Sequence, residues 1–203
     1  MTLVVGPERS YARVHKDLLC EAAPYFEKAL APGFKKGEER TIMMPEDDPD
    51  IVDAFLKFTY GEERPTGFTS ICDCEQVFEE HLDKDYIHQA LELYFFADKY
   101  GIEGLTELVT ECFLCCVCWN YSPPTIEQYN KVFEKTPSNS ALRRLFLDWG
   151  IRAENLDRLK DAKTREWMQR EPEIATEFVV ALSAKVKRLV SHFSGRSDMA
   201  VNE

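Results

Sequence analysis

Cysteine is the residue type in this chain whose spacing could support chemistry. Cys112, Cys115 and Cys116 stand at positions i, i+3 and i+4, which would place three thiols on one face of a helix. Structural zinc sites usually pair two Cys-x-x-Cys or His-x-x-x-His knuckles at turns, whereas these cysteines fall in the apolar run 112–119. Two interpretations stay open: metal ligands, or small hydrophobic side chains in a helix core, which we favour.

Other combinations of sulfur and nitrogen are weaker candidates. Cys72 and Cys74, followed by His81 and His88, could also supply metal ligands, but they lie in an acidic segment. His15 stands alone between a predicted strand and a predicted helix, with no nucleophile nearby, so we expect a buried, hydrogen-bonded ring rather than a catalyst.

The usual enzyme motifs are missing from the sequence. None of the nine glycines belongs to a G-x-G-x-x-G or G-x-x-x-x-G-K pattern, the signatures of dinucleotide and nucleotide phosphate binding. The sequence also contains no H-E-x-x-H and no G-x-S-x-G. We therefore predict a protein that is not an enzyme and that carries no cofactor.

Charge divides the 203 residues into two parts. Residues 1–120 contain 11 basic and 24 acidic side chains, a net charge of −13, whereas residues 121–203 contain 14 and 12, a net charge of +2. Nucleic acids and anionic lipids bind through clustered positive charge, so neither is an expected partner of the first part. Pro123 and Pro124 lie close to this change in net charge. The change and the two prolines together predict two structural units, 1–120 and 121–203.

Hydrophobic periodicity indicates short strands followed by helices. Strands are predicted at residues 2–5, 11–14 and 40–44, and helices at 15–20, 25–30, 49–60, 87–100, 105–115, 125–134, 142–149 and from 172 onward. Residues 61–85 form a long acidic connection with eight acidic and two basic side chains. In the last helix, one apolar stripe is predicted, consisting of Ile174, Phe178, Leu182, Val186, Leu189 and Phe193.

The cysteine content and the lack of long apolar segments indicate the cellular compartment in which we expect the protein. The chain has seven cysteines, an odd number, and no apolar leader at its start. Its longest charge-free run, 112–126, is shorter than the roughly 20 apolar residues that cross a bilayer. We expect free thiols, no membrane span, and a cytoplasmic or nuclear protein.

Several motifs, in order, resemble a BTB/POZ domain, and in particular its fungal branch. The residues that carry the resemblance include His15, Asp17, Pro24, Phe26, Asp98 and Tyr100. They belong to the segments VHKDLLC at 14–20, PYF at 24–26, GFK at 33–35, IMMPEDDP at 42–49, FTYG at 58–61 and ADKYGI at 97–102. The segment SALRRLFLD at 140–148 resembles the helical tail of such proteins.

The resemblance implies an α+β fold, a small sheet of short strands packed with a helical cluster, followed by an all-helical region at 121–203. It implies protein–protein association, with a homodimer whose candidate interface residues are Leu3, Val5, Leu18 and Leu19. It also implies a possible link to a cullin-RING ubiquitin ligase, for which the candidate contact is the hydrophobic-x-Glu motif Val77, Phe78 and Glu79.

The resemblance leaves three alternative functions open. The chain could be an adaptor that presents a partner, or a structural or regulatory oligomerisation protein without a ligase role, for example in transcription; a thiol metal-binding protein is the third. One departure from the family concerns Ala23, which stands where the family often has the serine that caps the following helix, and losing such a cap costs about 1 kcal/mol.

Overall fold

The computed structural model describes residues 1–31, 40–61, 84–118 and 123–197. It divides the chain into two compact units, Met1–Trp119 and Asn120–Glu203. The first unit combines a small sheet with helices, and the described part of the second unit is helical. Residues 62–83, most of the acidic connector, lie outside the described residues.

A three-stranded sheet opens the first unit. Its strands are β1 (Thr2–Val5), β2 (Ser10–Arg13) and β3 (Thr41–Met44), in the spatial order β2-β1-β3. Strand β1 pairs antiparallel with β2 and parallel with β3. The tight turn between β1 and β2 has Gly6 and Arg9 in the left-handed region, with φ of 71° and 57°. The predicted strands are confirmed, although β2 begins and ends one residue earlier than predicted.

Five described helices pack with this sheet. They are α1 (Lys16–Ala22), α2 (Pro24–Ala29), α3 (Pro49–Thr59), α4 (Lys84–Tyr100) and α5 (Glu103–Cys118). Pro24 and Pro49 open their helices at the first turn, where a missing N–H costs little. Asp48 caps α3, because its Oδ1 accepts a hydrogen bond from the backbone N–H of Asp50 at 2.8 Å.

Aromatic rings from α2, α3 and α4 form the centre of the first unit. Phe26 stacks on Phe55 and on Tyr100, with ring centroids 5.9 and 5.4 Å apart. Phe96 packs against Phe55 and Tyr100 from the next turn of α4. Phe26 and Phe55 are fully buried, so this stack joins three helices that are distant in the sequence.

The second unit contains four α-helices and one 3₁₀ helix among its described residues. They are α6 (Ile126–Lys135), α7 (Ala141–Gly150), the 3₁₀ helix Ala153–Lys160, α8 (Ala162–Arg170) and α9 (Pro172–Ser197). The sequence predicts helix throughout this region, but it does not predict α8 as a separate helix. Trp167 is its one buried residue, and a single apolar position gives no helical period.

The core of the second unit is aromatic and closely packed. Tyr129 contacts Phe146, Trp167 and Phe178, with centroid separations between 5.4 and 5.8 Å. Gly150 is the point of closest approach, because a Cβ built there would lie 2.5 Å from the Tyr129 hydroxyl and 2.7 Å from the Phe178 ring. A side chain at this position cannot be accommodated without moving one of these rings.

The predicted apolar stripe on α9 is only partly correct. Ile174 and Phe178 are buried, and Leu182 is half-buried. Val186 is 51% exposed, which contradicts its predicted place in the core. The side chains of Leu189 and Phe193 lie outside the described residues. The core contacts of the described helix are therefore made near its N-terminal end.

The predicted α+β fold with a helical C-terminal region is confirmed. Among the described residues, no helix is both long enough and apolar enough to span a bilayer.

Replacing Ala23 with serine should stabilise the first unit. Ala23 is the N-cap of α2, its backbone is extended with φ −155° and ψ 135°, and it provides no side-chain cap. A serine hydroxyl there would accept a hydrogen bond from an N–H of the first turn, so the free energy of unfolding should rise by about 1 kcal/mol. Urea denaturation followed by circular dichroism measures the change.

Ala23→Gly serves as the matched control. It adds no side-chain acceptor, and because glycine ranks between serine and alanine as an N-cap while increasing the freedom of the unfolded chain, it should stabilise the protein less than Ala23→Ser does. Because Ala23 is fully buried, a loss of stability in Ala23→Ser would mean that the hydroxyl does not fit between α1 and α2, and the prediction would be wrong.

Candidate functional site

A buried carboxylate connects the end of β3 with the end of α4. The Tyr100 hydroxyl donates to Oδ2 of Asp47 at 2.6 Å, and the Lys99 ammonium donates to Oδ1 at 2.8 Å. The Asp47 side chain is 8% exposed, and the backbone N–H of Asp47 donates to the carbonyl of Met44 at 3.3 Å. Both carboxylate oxygens are thus satisfied by residues 52 and 53 positions later in the sequence.

The Asp47–Lys99–Tyr100 cluster is better suited to a structural role than to proton transfer. Burial and the hydrogen bond to Asp47 raise the pKa of Tyr100 well above its ordinary value, so the hydroxyl stays protonated. A general acid or base works best with a pKa near the operating pH. The Asp47–Lys99–Tyr100 cluster therefore fixes two segments of the domain together and is not suited to acid–base catalysis.

The two predictions for His15 have different outcomes. The ring is exposed, so the predicted burial is wrong, because His15 stands at the N-cap of α1 on the surface. The predicted hydrogen bonding is present: the backbone N–H of His15 donates to the Tyr60 hydroxyl at 3.1 Å, and Nδ1 lies 2.8 Å from the same oxygen. The His15 ring also meets the Tyr60 ring edge-on, with centroids 5.8 Å apart.

The cysteines of α5 lie on the face that packs into the first unit. Cys112 and Cys116 are buried and Cys115 is half-buried. Burial, with a smaller contribution from the neighbouring thiols, raises the pKa of Cys116 to about 12, so this side chain carries a neutral thiol at physiological pH. The described residues contain no group of three Cys, His, Asp or Glu side chains placed to hold a metal ion. Cys72, Cys74 and His81 lie outside them.

The other residues singled out in the sequence occupy different environments. Pro24 opens α2 and Phe26 is fully buried, while Asp17 and Asp98 are exposed. Of the dimer-interface candidates, Leu3, Val5 and Leu19 are buried within the protomer, because their side chains face the core between the sheet and the helices, and Leu18 is half-buried. Val77, Phe78 and Glu79 lie outside the described residues.

Sequence reasoning missed the roles of Asp47 and Lys99. Acidic residues before a helix favour its N-terminus, and Asp48 does cap α3. Asp47 instead turns inward, toward α4. A signal was available in the sequence: both residues fall within the motif segments 42–49 and 97–102, although spacing alone cannot pair two segments fifty residues apart.

Removing the Asp47 carboxylate should destabilise the first unit markedly. Asp47→Ala leaves the buried Tyr100 hydroxyl without its acceptor, which costs about 1–3 kcal/mol of unfolding free energy. Tyr100→Phe removes one donor and keeps the ring, so a smaller loss of about 1 kcal/mol is expected. Urea denaturation measures both changes.

Asp53→Ala is the control for charge. Asp53 forms an exposed ion pair with Lys57 at 2.8 Å, and such surface pairs contribute about 0–1 kcal/mol. If Asp47→Ala were no more destabilising than Asp53→Ala, the structural role assigned to the buried carboxylate would be wrong.

The family comparison agrees with this architecture. The BTB/POZ domain model matches residues 1–114, which is more than half of the 203-residue chain and includes the sheet, the aromatic stack and the Asp47 cluster. No curated protein matches the chain. BTB/POZ domains are protein–protein interaction modules rather than enzymes. With its mixed three-stranded sheet and its helical cluster, the chain belongs to the BTB/POZ domain family.

Proposed function

We propose that this protein is a dimerising adaptor of the cytoplasm or nucleus. In this proposal the domain at residues 1–120 associates with a second copy, and the helical region at residues 121–203 holds a partner protein. A possible further role is to present that partner to a cullin-RING ubiquitin ligase. The proposal extends the established family, whose domains act through protein–protein contacts.

The observation that carries the adaptor role is an exposed apolar face on α9. Val179 and Val180 are each 63% exposed, and Val186, two turns after Val179, is 51% exposed. Apolar side chains grouped on one surface are typical of protein interaction sites. An adaptor needs a second surface besides its dimerisation domain, and these valines supply one in the C-terminal unit.

Helix α9 is held firmly enough to present that face. Arg143 anchors its first turns, because its Nη1 donates to Oε1 of Glu177 at 2.9 Å while Nη2 donates to the carbonyl oxygen of Phe133. The Lys185 ammonium donates to the carbonyl oxygen of Ile151 at 2.9 Å. These bonds hold α9 on both sides of Val179 and Val180, and the second lies next to Val186.

The second candidate is an oligomerisation module without a ligase role. The same exposed valines favour it equally, since they specify a protein contact and not the identity of the partner. Binding to a cullin is the property that separates the two candidates, and dimerisation is common to both.

The 203-residue chain should sediment at about twice its own mass of 23.5 kDa. Of the interface candidates, Leu18 keeps accessible surface in the protomer, so Leu18→Lys should raise the dimer dissociation constant by about tenfold or more. Glu21→Lys, one turn later on α1 and exposed, is the matched control. A strictly monomeric wild-type protein would contradict both candidates.

Isothermal titration with the N-terminal region of the cullin tests the ligase role. We expect binding at tens of micromolar or tighter, and the double substitution Val179→Ser and Val186→Ser should leave it unchanged, because those valines are assigned to the partner protein. Ser183→Ala, on the same exposed part of α9, controls for changes in the helix itself. A dimer that shows no binding in this range would leave the oligomerisation module as the function.

A further inference from the structure

A groove at one end of the sheet carries positive charge in an otherwise acidic unit. It has a volume of about 510 Å³ and lies where β1 and β3 begin and β2 ends. Arg13, His15 and Arg40 line it, together with Thr2, Thr41 and Tyr60. None of the described residues that line it is acidic. The described lining therefore carries two arginines and no carboxylate, although residues 1–120 as a whole have a net charge of −13.

The sheet register places the two arginines on opposite sides of the groove. Arg13 pairs with Thr2 across the antiparallel ladder, and Thr2 pairs with Thr41 across the parallel one. Arg13 therefore ends one outer strand and Arg40 immediately precedes the other, and the backbones of these two strands are about 10 Å apart, since neighbouring strands are about 4.8 Å apart. Both side chains are exposed and form no ion pair with any other residue that the structure describes.

The backbone of Arg40 is held in an unusual conformation. Its φ of 48° lies in the left-handed region, which non-glycine residues rarely adopt. Its carbonyl oxygen accepts a hydrogen bond from the backbone N–H of Thr2 at 2.9 Å. This bond attaches the backbone of Arg40 to the central strand β1. The point from which the Arg40 side chain extends is therefore fixed beside the groove.

His15 adds a hydrogen-bond donor to the same wall. The Tyr60 oxygen accepts from the backbone N–H of His15 and lies 2.8 Å from Nδ1 of the ring. In the tautomer in which Nδ1 accepts the Tyr60 hydroxyl hydrogen, Nε2 carries the ring proton. The groove then offers two guanidinium groups and an imidazole N–H, a set of donors that suits carboxylate oxygens.

We propose that this groove binds an acidic peptide segment of a partner protein. The size of the groove favours a peptide over a single small anion. Its volume of about 510 Å³ lies in the range of sites that hold drug-sized ligands, far more than one phosphate would fill. Two acidic side chains three residues apart in an extended segment, at about 3.3 Å per residue, would span such a groove. The site goes beyond the adaptor role, because it assigns a partner chemistry to the BTB/POZ unit whether or not that unit dimerises.

The test is fluorescence anisotropy with a labelled Gly/Ser peptide that carries two glutamates three positions apart. Wild-type full-length protein should bind it, and the same peptide with glutamines should bind at least about tenfold more weakly. Arg13→Gln and Arg40→Gln should each weaken binding about fivefold, and the double variant more. Added salt should weaken binding, because exposed charges are screened over about 10 Å at 0.1 M.

Arg9→Gln is the matched control. Arg9 is exposed, also has a positive φ, and lies at the opposite end of the β1–β2 hairpin, so it changes the net charge equally without touching the groove and should leave the affinity within about twofold. Equal losses in all three single variants, or no binding by the wild type at millimolar peptide, would overturn the proposal.

Inorganic phosphate is the competing probe. Displacement of the peptide by phosphate at the peptide's own dissociation constant would mean that the groove takes a single anion, which would also overturn the proposal. Sedimentation of the double variant keeps the two proposals separate: an unchanged dimer with lost peptide binding supports the groove, and a lost dimer with retained peptide binding bears only on the adaptor.

Discussion

The first unit depends on one buried carboxylate. Asp47 lies directly after β3, and its two oxygens bind the side chains of Lys99 and Tyr100 at the end of α4. A buried charge is tolerated only when its hydrogen bonds are satisfied, so the segment after β3 and the end of α4 must reach their final positions together. The ring of Tyr100 lies in the aromatic stack with Phe26 and Phe96, which couples the polar cluster to the apolar core.

Polar groups in the second unit also fix helix positions. The Trp167 indole N–H donates to Oδ1 of Asn130 at 2.7 Å, and the Tyr129 hydroxyl donates to the carbonyl oxygen of Phe146 at 3.1 Å. Each bond lets a large amphipathic ring lie in the core with its polar atom satisfied. The core of the second unit is therefore formed by the start of α9, where Phe178 packs beside Gly150. The valines of α9 lie on the exposed side of the same helix.

Local sequence patterns are sufficient to predict most strands and helices. They are not sufficient to predict the Asp47 cluster or the groove. Strand β1 and the proline-opened helices α2 and α3 could be predicted, because alternation and first-turn prolines act over a few residues. Helix α8 could not, since Trp167 alone carries its buried face. The Asp47 cluster and the groove both join residues distant in sequence. The groove in particular requires the parallel pairing of β1 with β3, and no local pattern specifies that partner.

The order of the strands has a consequence for synthesis of the chain. Strand β1 is made before its two partners but lies in the middle of the sheet, and its parallel partner β3 begins at Thr41, 36 residues after β1 ends at Val5. A growing chain can close the β1–β2 hairpin at once, yet one edge of β1 stays without its ladder until residue 44 has left the ribosome. Unpaired strand edges recruit other strands, so the nascent hairpin is the stage at which this domain is most open to pairing with the wrong chain.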